Sequence, residues 1–319
     1  MTPPDPMPPS VNLVVPCYNE EDVLPETARR LAALLDALTA EGHVAADSGI
    51  YFVDDGSRDR TWQHIVRLRG ERPDRFHGIR LSRNQGHQNA LLAGLRNAPG
   101  DCPISIDADL QDDVTVIPEM IARFREGNDI VYGVRKSRDS DTAFKLGTAR
   151  AYYGLLRWLG VDMIPDHADF RLMSRRALIA LGRYGEVNLY IRAIVPLLGF
   201  RTARVLYARH ARFAGVSKYP VVKMLGLAVN GITSFSMRPL RMITVMGLTM
   251  AMISFLVGIW AIYIALFSNR AVPGWASIVA PITFVGGLQL LSMGVVGEYI
   301  GKIYLEVKRR PLFEIDEII

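Results

Sequence analysis

Met242–Phe267 is a run of 26 residues without a formal charge, and Trp275–Gly297 is a second run of 23. At about 1.5 Å per residue, either run is long enough to cross a hydrocarbon layer about 30 Å thick. Two buried core helices are the other reading, although soluble folds rarely build such length without one charge. The link Ser268–Gly274 (SNRAVPG) is short, so the two runs are expected to form an antiparallel membrane hairpin. Arg238 and Arg241 precede the first run, while Lys302, Lys308, Arg309 and Arg310 follow the second; only Arg270 lies between. That asymmetry predicts both termini and the soluble portion on the cytoplasmic face of the membrane.

The rest of the 319-residue chain has room for one large domain or two smaller ones. Its start, MTPPDPMPPS, is proline-rich without an apolar centre, which predicts a disordered tail over 1–10 rather than a signal peptide. Cys17 and Cys102 are the only cysteines, fit reduced thiols and offer no metal-ligand spacing. The net charge of +5 is concentrated rather than spread, for no acidic residue lies between Glu186 and Glu298. Arg192, Arg201, Arg204, Arg209, Arg212, Lys218, Lys223, Arg238 and Arg241 crowd the approach to the first apolar run. Such a stretch suits anionic headgroups or a phosphorylated ligand at a bilayer surface rather than nucleic acid, with a solvated basic face as the alternative.

Short apolar runs ending in polar clusters alternate with segments of helical spacing. Strands are predicted at VNLVVPCYNE (11–20), GIYFVDDGS (49–57), FHGIRLS (76–82), DCPISIDADL (101–110) and DIVYGVRKS (129–137), each separated by a helical stretch. The pattern predicts an α/β fold with a mainly parallel, two-sided sheet, whose ligand lies beyond the carboxyl ends of the strands. RAYYGLLRWLG (150–160) and YPVVKMLGLAVNGITSFS (219–236) read as helices in the interfacial plane or packed on the sheet.

SIDADLQDD (105–113) places four carboxylates in nine positions directly after an apolar run. In an extended segment Asp107 and Asp109 leave the same side, and two such carboxylates repel unless a cation lies between them. Mg²⁺ is commonly held by one or two carboxylates with substrate phosphates and waters, and Gln111 continues the alternation with a neutral oxygen. No GxxxxGK[ST] is present, so the site is not a P-loop.

VVPCYNEE, VDDGS, NQGHQNALLAGL, DADLQDD, ADFRLMSRRAL, GVSKYP and GEYIGKIYLEVKRRP follow one another in this order. Over about residues 11–312 the chain resembles the polyprenyl-phosphate glycosyltransferases of glycosyltransferase family 2, inverting enzymes with the GT-A fold. It is most similar to the bacterial branch with two C-terminal membrane helices, which includes bactoprenol glucosyltransferases and enzymes like dolichol-phosphate mannose synthase. The resemblance implies transfer of a sugar from a nucleotide donor, UDP-linked or else GDP-mannose, onto a polyprenyl phosphate of the undecaprenyl type. It implies Mg²⁺ or Mn²⁺ as cofactor, a bacterial inner-membrane location, a role in cell-envelope glycan modification and a homo-oligomer such as a tetramer. The implied layout is a catalytic domain over 11–218, a juxtamembrane helix over 219–240, a hairpin over 241–305 and a cytoplasmic tail over 306–319.

The same resemblance distributes roles. Pro16, Tyr18 and Glu20 would line the nucleotide pocket and Asp54 would meet the base or ribose. Asp107, Asp109 and Gln111 would hold the metal, and Ala108 is small enough to let the donor approach. Asp169 in HADFR matches the family's base. A phosphate acceptor with a second pKa near 6 scarcely needs deprotonation, so orienting a substrate or pairing with Arg171 are alternatives for Asp169. Arg135, Arg150, Arg192, Arg212, Ser217 and Lys218 would meet the acceptor phosphate, because guanidinium forks bind phosphate bidentately. His87 and Gln88 read as the donor-sugar side or as a helix start. Ala168 and Val216 depart from the family, which more often has glycine and a polar or acidic residue there. A processive polysaccharide synthase is the weaker enzyme reading, since GLLRW (154–158) lacks the glutamine of QxxRW. A membrane scaffold with a degenerate transferase domain is the non-enzymatic one, although no metal carboxylate is missing.

Overall fold

The computed structural model describes residues 7–136, 167–186, 191–208, 240–250, 252–253, 256 and 275–319. Two compact units divide the chain, one of 1–151, 163–218 and 310–319, the other of 152–162 and 219–309. Most of the 1–10 tail, the segments 150–160 and 219–236, much of the first apolar run and the link 268–274 lie outside the described residues.

The first unit is an eight-stranded sheet flanked by helices. Its strands are β1 (Asn12–Cys17), β2 (Gly49–Asp54), β3 (Phe76–Leu81), β4 (Ile104–Ser105), β5 (Ile130–Arg135), β6 (His167–Met173), β7 (Thr202–Tyr207) and β8 (Ile315–Ile318). They lie in the order β7-β5-β6-β4-β1-β2-β3-β8. β1 pairs in parallel with both β2 and β4, β2 with β3, and β5 with β7. The run β3-β2-β1-β4 is the order of doubly wound nucleotide-binding sheets, in which the ligand crevice opens where the order reverses, between β1 and β4. The predicted α/β fold with a mainly parallel sheet is the one observed.

β1 and β2 are buried along their whole length, as strands covered on both faces must be. Helix α1 (Leu24–Ala40) starts with Pro25 in its first turn and buries Leu24, Ala28, Leu31, Leu35 and Leu38, one face at helical spacing. Helices α2 (Thr61–Glu71), α3 (His87–Asn97) and α4 (Ile117–Arg125) follow β2, β3 and β4. At Gly94 the close fit of α3 on the sheet is limiting, because a Cβ there would run into Val14 and stand 2.7 Å from Val53 Cγ2.

Three differences from the sequence reading bear on the site. β4 ends at Ser105, so Asp107 lies in irregular chain and Asp109 in a turn, and the alternation argument for their common direction does not apply. β6 and β7 were not foreseen; β6 carries the charged residues Asp169 and Arg171 buried within the sheet, while Arg204 on the edge strand β7 is exposed. β8, within the segment read as a tail, runs antiparallel along β3 and closes that edge.

Helices α5 (Arg175–Leu181) and α6 (Ile191–Leu197) complete the first unit. In the second unit, α7 (Leu240–Met250) is a short apolar helix and α8 (Trp275–Lys308) spans 34 residues. Among the described residues α8 is the one helix long and apolar enough to cross a membrane. Ile282, Phe284, Leu290, Leu291 and Met293 on α8 are exposed, unlike the side chains of a buried core helix.

Gly94→Ala is expected to destabilise the detergent-purified chain by ~1–3 kcal/mol through overpacking. Gly70→Ala, on α2 where a Cβ meets nothing within 4 Å, should be neutral or slightly stabilising. Thermal unfolding of the two variants side by side checks both.

Candidate active site

The carboxyl ends of β1 and β2 are joined by their loops. Asn19, at φ 55°, donates its N–H to Ser57 Oγ at 3.0 Å and accepts the Arg58 N–H at 2.8 Å. The Glu20 N–H reaches Thr61 Oγ1 at 2.9 Å, and the Glu20 carbonyl accepts the N–H groups of Val23 and Leu24, which opens α1. Pro16 is buried within β1, while Tyr18 is 41% exposed and offers its ring at the edge. Asp54 closes β2; its Oδ1 accepts the Ser57 N–H at 3.1 Å. Its Oδ2 is buried without a hydrogen-bond partner, 4.0 Å from Arg80 Nε. Burial pushes the Asp54 carboxyl above its ordinary value, against the opposing Ser57 hydrogen bonds.

Asp55 accepts the N–H groups of Gln85 at 2.7 Å and Gly86 at 2.9 Å, which sets the turn into α3. Gly56 has φ +66°, and a Cβ there would stand 2.7 Å from the Arg83 and Asn84 backbone, so only glycine suits this turn.

Beyond β4 the chain turns sharply. Asp109 Oδ1 accepts the Gln111 N–H at 3.2 Å and Leu110 takes φ +56°. Ala108 is buried, its carbonyl held by Thr27 Oγ1 of α1 at 2.8 Å. Gln111 is buried too. Asp107 Oδ1 is a buried oxygen with no hydrogen-bond partner, and His87 Nε2 stands 3.5 Å away. Burial raises the Asp107 carboxyl to about 6, with His87 opposing and the charges of Asp112, Asp169 and Asp109 adding to the rise. Among the described residues no three His, Cys, Asp or Glu side chains converge as a ready-made cage. The donor set is nonetheless what a hard divalent cation takes when ligand phosphates and waters complete its shell: Asp107 with an orphaned oxygen, and Asp109 two residues on.

β6 runs antiparallel to β4 and β5, so its first residues arrive at the edge where β4 ends. There Asp169, 2% exposed, collects four partners. Arg171 Nη2 lies 2.5 Å from Oδ1, and Arg192 of α6 forks both oxygens at 3.0 and 2.9 Å. Gln88 Nε2 donates to Oδ2 at 3.1 Å, and His87 Nε2 stands 3.3 Å from the same oxygen. Burial alone would raise this carboxyl. The His87 hydrogen bond and the Arg171 and Arg192 charges outweigh it and hold Asp169 well below the usual range. It is therefore ionised at neutral pH and a weak base.

Arg135 closes β5 and donates to Tyr207 and Asp112. The structure thus brings Asp107, Asp109, Asp169, Arg192 and His87 to one edge, with Asp54, Tyr18 and Glu20 along it. Arg192, expected at the acceptor phosphate, is clamped on Asp169. Arg150, Arg212, Ser217 and Lys218 lie outside the described residues. Tyr207 was not foreseen as a site residue, because one aromatic in a basic stretch carries no pattern. Asp112 was visible only as one more acid in DLQDD.

Comparison with known proteins gives the family of the chain. Residues 12–182, from β1 through α5, match the profile of the family described as Glycosyl transferase family 2. The Bacillus subtilis (strain 168) glycosyltransferase YkoT is 51% identical over 310 residues, covering 97% of this chain and 91% of that protein. The SfII prophage-derived bactoprenol glucosyl transferase of Shigella flexneri is 39% identical over 304 residues, 95% of this chain and 96% of its own length. A prophage bactoprenol glucosyl transferase homolog of Escherichia coli (strain K12) is 37% identical over 312 residues, 97% of this chain and 99% of that protein. On the family match and on relatives aligned nearly end to end, this chain belongs to glycosyl transferase family 2 and is a glycosyltransferase.

Proposed function

We propose that the enzyme transfers a hexose, with inversion, from a nucleotide sugar to a polyprenyl phosphate at the cytoplasmic face of the bacterial inner membrane. A UDP-sugar is the favoured donor and GDP-mannose the alternative. The observation that carries the reading is the orphaned, buried oxygen of Asp107 beside Asp109, at the end of β4 where the strand order reverses. The end-to-end likeness to bactoprenol glucosyl transferases supports the acceptor class.

Asp107 and Asp109, with Gln111 adjoining, would hold Mg²⁺ or Mn²⁺, which supplies positive charge against the donor diphosphate as that group leaves. Asp54, with its unpartnered oxygen, would accept an N–H or hydroxyl of the nucleoside, and Tyr18 would offer a ring face, with Pro16 and Glu20 completing that end. Buried Ala108 leaves room for the donor. A phosphate oxygen of the acceptor attacks the anomeric carbon while the bond to the diphosphate breaks. That oxygen is already ionised near neutral pH, so no protein nucleophile and no strong base is needed. Asp169, ionised and clamped by Arg171 and Arg192, would orient a sugar hydroxyl rather than take a proton, with His87 and Gln88 at the donor-sugar side. Arg135, Arg150, Arg212, Ser217 and Lys218 would receive the acceptor phosphate. The length and exposed apolar faces of α8 support membrane insertion, and we extend this to a hairpin with the uncharged run 242–267. The domain limits 11–218, 219–240 and 241–305, and a homo-oligomer, belong to the same proposal.

The test uses detergent-purified protein, undecaprenyl phosphate, Mn²⁺ and a panel of labelled nucleotide sugars. Organic-phase label from one donor, reduced at least about 100-fold in Asp109→Ala, is the expected outcome. No label from any donor would sink the reading.

Asp107 must be ionised to take a cation, and its carboxyl is raised to about 6, so protons compete below that pH. Mn²⁺ affinity, followed by calorimetry, should weaken about tenfold per pH unit on acidification below 6.

Asp169→Asn should slow transfer yet keep the titration limb of kcat/KM between pH 5 and 8, moved to lower pH because the Asp169 charge no longer adds to the rise of Asp107. Loss of a titration limb in that variant would instead identify Asp169 as the base.

A further inference from the structure

At the end of β5 the strand register pairs Arg135 with Tyr207 of β7. Arg135 Nε donates to the Tyr207 hydroxyl at 3.0 Å, and Arg135 Nη2 donates to Asp112 Oδ1 at 3.2 Å. The Tyr207 hydroxyl donates in turn to that same Asp112 oxygen. Three elements therefore meet in one triangle: β5, β7 and the acidic turn after β4. Tyr207 and Asp112 are closed to solvent, whereas the Arg135 side chain keeps 28% of its exposure.

The bonding is lopsided in a particular way. A guanidinium that only needed its charge balanced would fork both carboxylate oxygens, as Arg192 does on Asp169. Here Nε is diverted to a hydroxyl, and both donors share Asp112 Oδ1. Asp112 Oδ2 is left buried without a hydrogen-bond partner. Among the described residues Arg135 Nη1 makes no hydrogen bond. Unsatisfied buried oxygens are rare in native folds and call for a reason beyond stability. The triangle fixes the plane of the guanidinium and leaves one terminal nitrogen unspent.

Position along the sheet says what that nitrogen serves. In the order β5-β6-β4-β1-β2, Asp54 closes β2, Asp107 follows β4, Asp169 stands on β6 and Arg135 closes β5. If the nucleotide lies over β1 and β2, Arg135 is at the opposite end, beyond Asp169, where the second substrate must approach. We infer that Tyr207 and Asp112 are positioning residues that hold Arg135 with Nη1 presented to the phosphate of the acceptor. This rests on the function proposed above.

The experiment titrates the full chain in detergent with farnesyl phosphate, following tryptophan fluorescence. Wild type, Tyr207→Phe, Arg135→Ala and the double variant are compared, with unfolding midpoints recorded without ligand. Phenylalanine keeps the edge-on ring contact with Phe170, at 5.4 Å between centroids, so packing is preserved. Tyr207→Phe is expected to weaken binding about tenfold, and the double variant to be no weaker than Arg135→Ala alone. A residue acting only through stability would lower the unfolding midpoint and add its effect to that of Arg135→Ala. Wild-type affinity in Tyr207→Phe, or additive losses in the double variant, overturns the inference and leaves the proposed reaction standing. Absence of farnesyl phosphate binding by the wild type also overturns it, and the reaction falls with it only if undecaprenyl phosphate accepts no label.

Discussion

A carboxylate buried inside a sheet must be matched by positive charge and hydrogen bonds, or it cannot stay ionised there. Asp169 is that carboxylate, and its four partners come from three places: Arg171 on its own strand, Arg192 on α6, and His87 and Gln88 at the start of α3. Gln88 also accepts the Ile191 N–H at 3.2 Å, so the first turn of α6 is fastened to α3 through the same cluster. Arg171 is itself 1% exposed, with Nε and Nη1 buried and unpartnered, and has no reason to be there without Asp169. The antiparallel strand β6 is thus held in place by chemistry as well as by its ladders to β4 and β5.

That strand also gives the active edge its reach. β1, β2 and β4 deliver their carboxyl ends to one side, and β6, running the other way, delivers its amino end to the same side. The edge then reads continuously from Asp54 through Asp107 and Asp169 to Arg135. Negative charge is concentrated at the centre, where Asp107 is raised to about 6 by burial and its acidic neighbours. Cationic side chains stand farther along, partly spent on Asp169 and Asp112. The proposed reaction, with its diphosphate leaving group, sugar and anionic acceptor, would use such a sequence of environments.

Much of this was legible before any coordinates. The alternation of apolar runs and helical spacing through residue 135 implies parallel βα units, because strands covered on both faces must be apolar throughout and their connections must cross over. The polar clusters at 16–20, 54–57 and 107–113 mark the carboxyl edge for the same reason. β6, β7 and β8 were not legible. HADFRLM places an aspartate and an arginine on one face of a strand, a pattern that local reasoning assigns to a loop. TARVLY is an edge strand with its arginine outward, and IDEI is short and acidic.

The sequence by itself determined the fold class, the family, the location of the acidic turn and the presence of apolar segments long enough to span a bilayer. The family follows from the resemblance carried by the ordered motifs, and the rest from local composition and period. The tertiary structure decided which groups are spent on each other: Arg192 on Asp169, Arg135 on Asp112 and Tyr207, and no hydrogen bond on the buried oxygen of Asp107. These pairings join residues from 23 to 95 positions apart, and only the strand order sets their distances. Electrostatic energies depend on those distances and on burial, neither of which is written in any one segment.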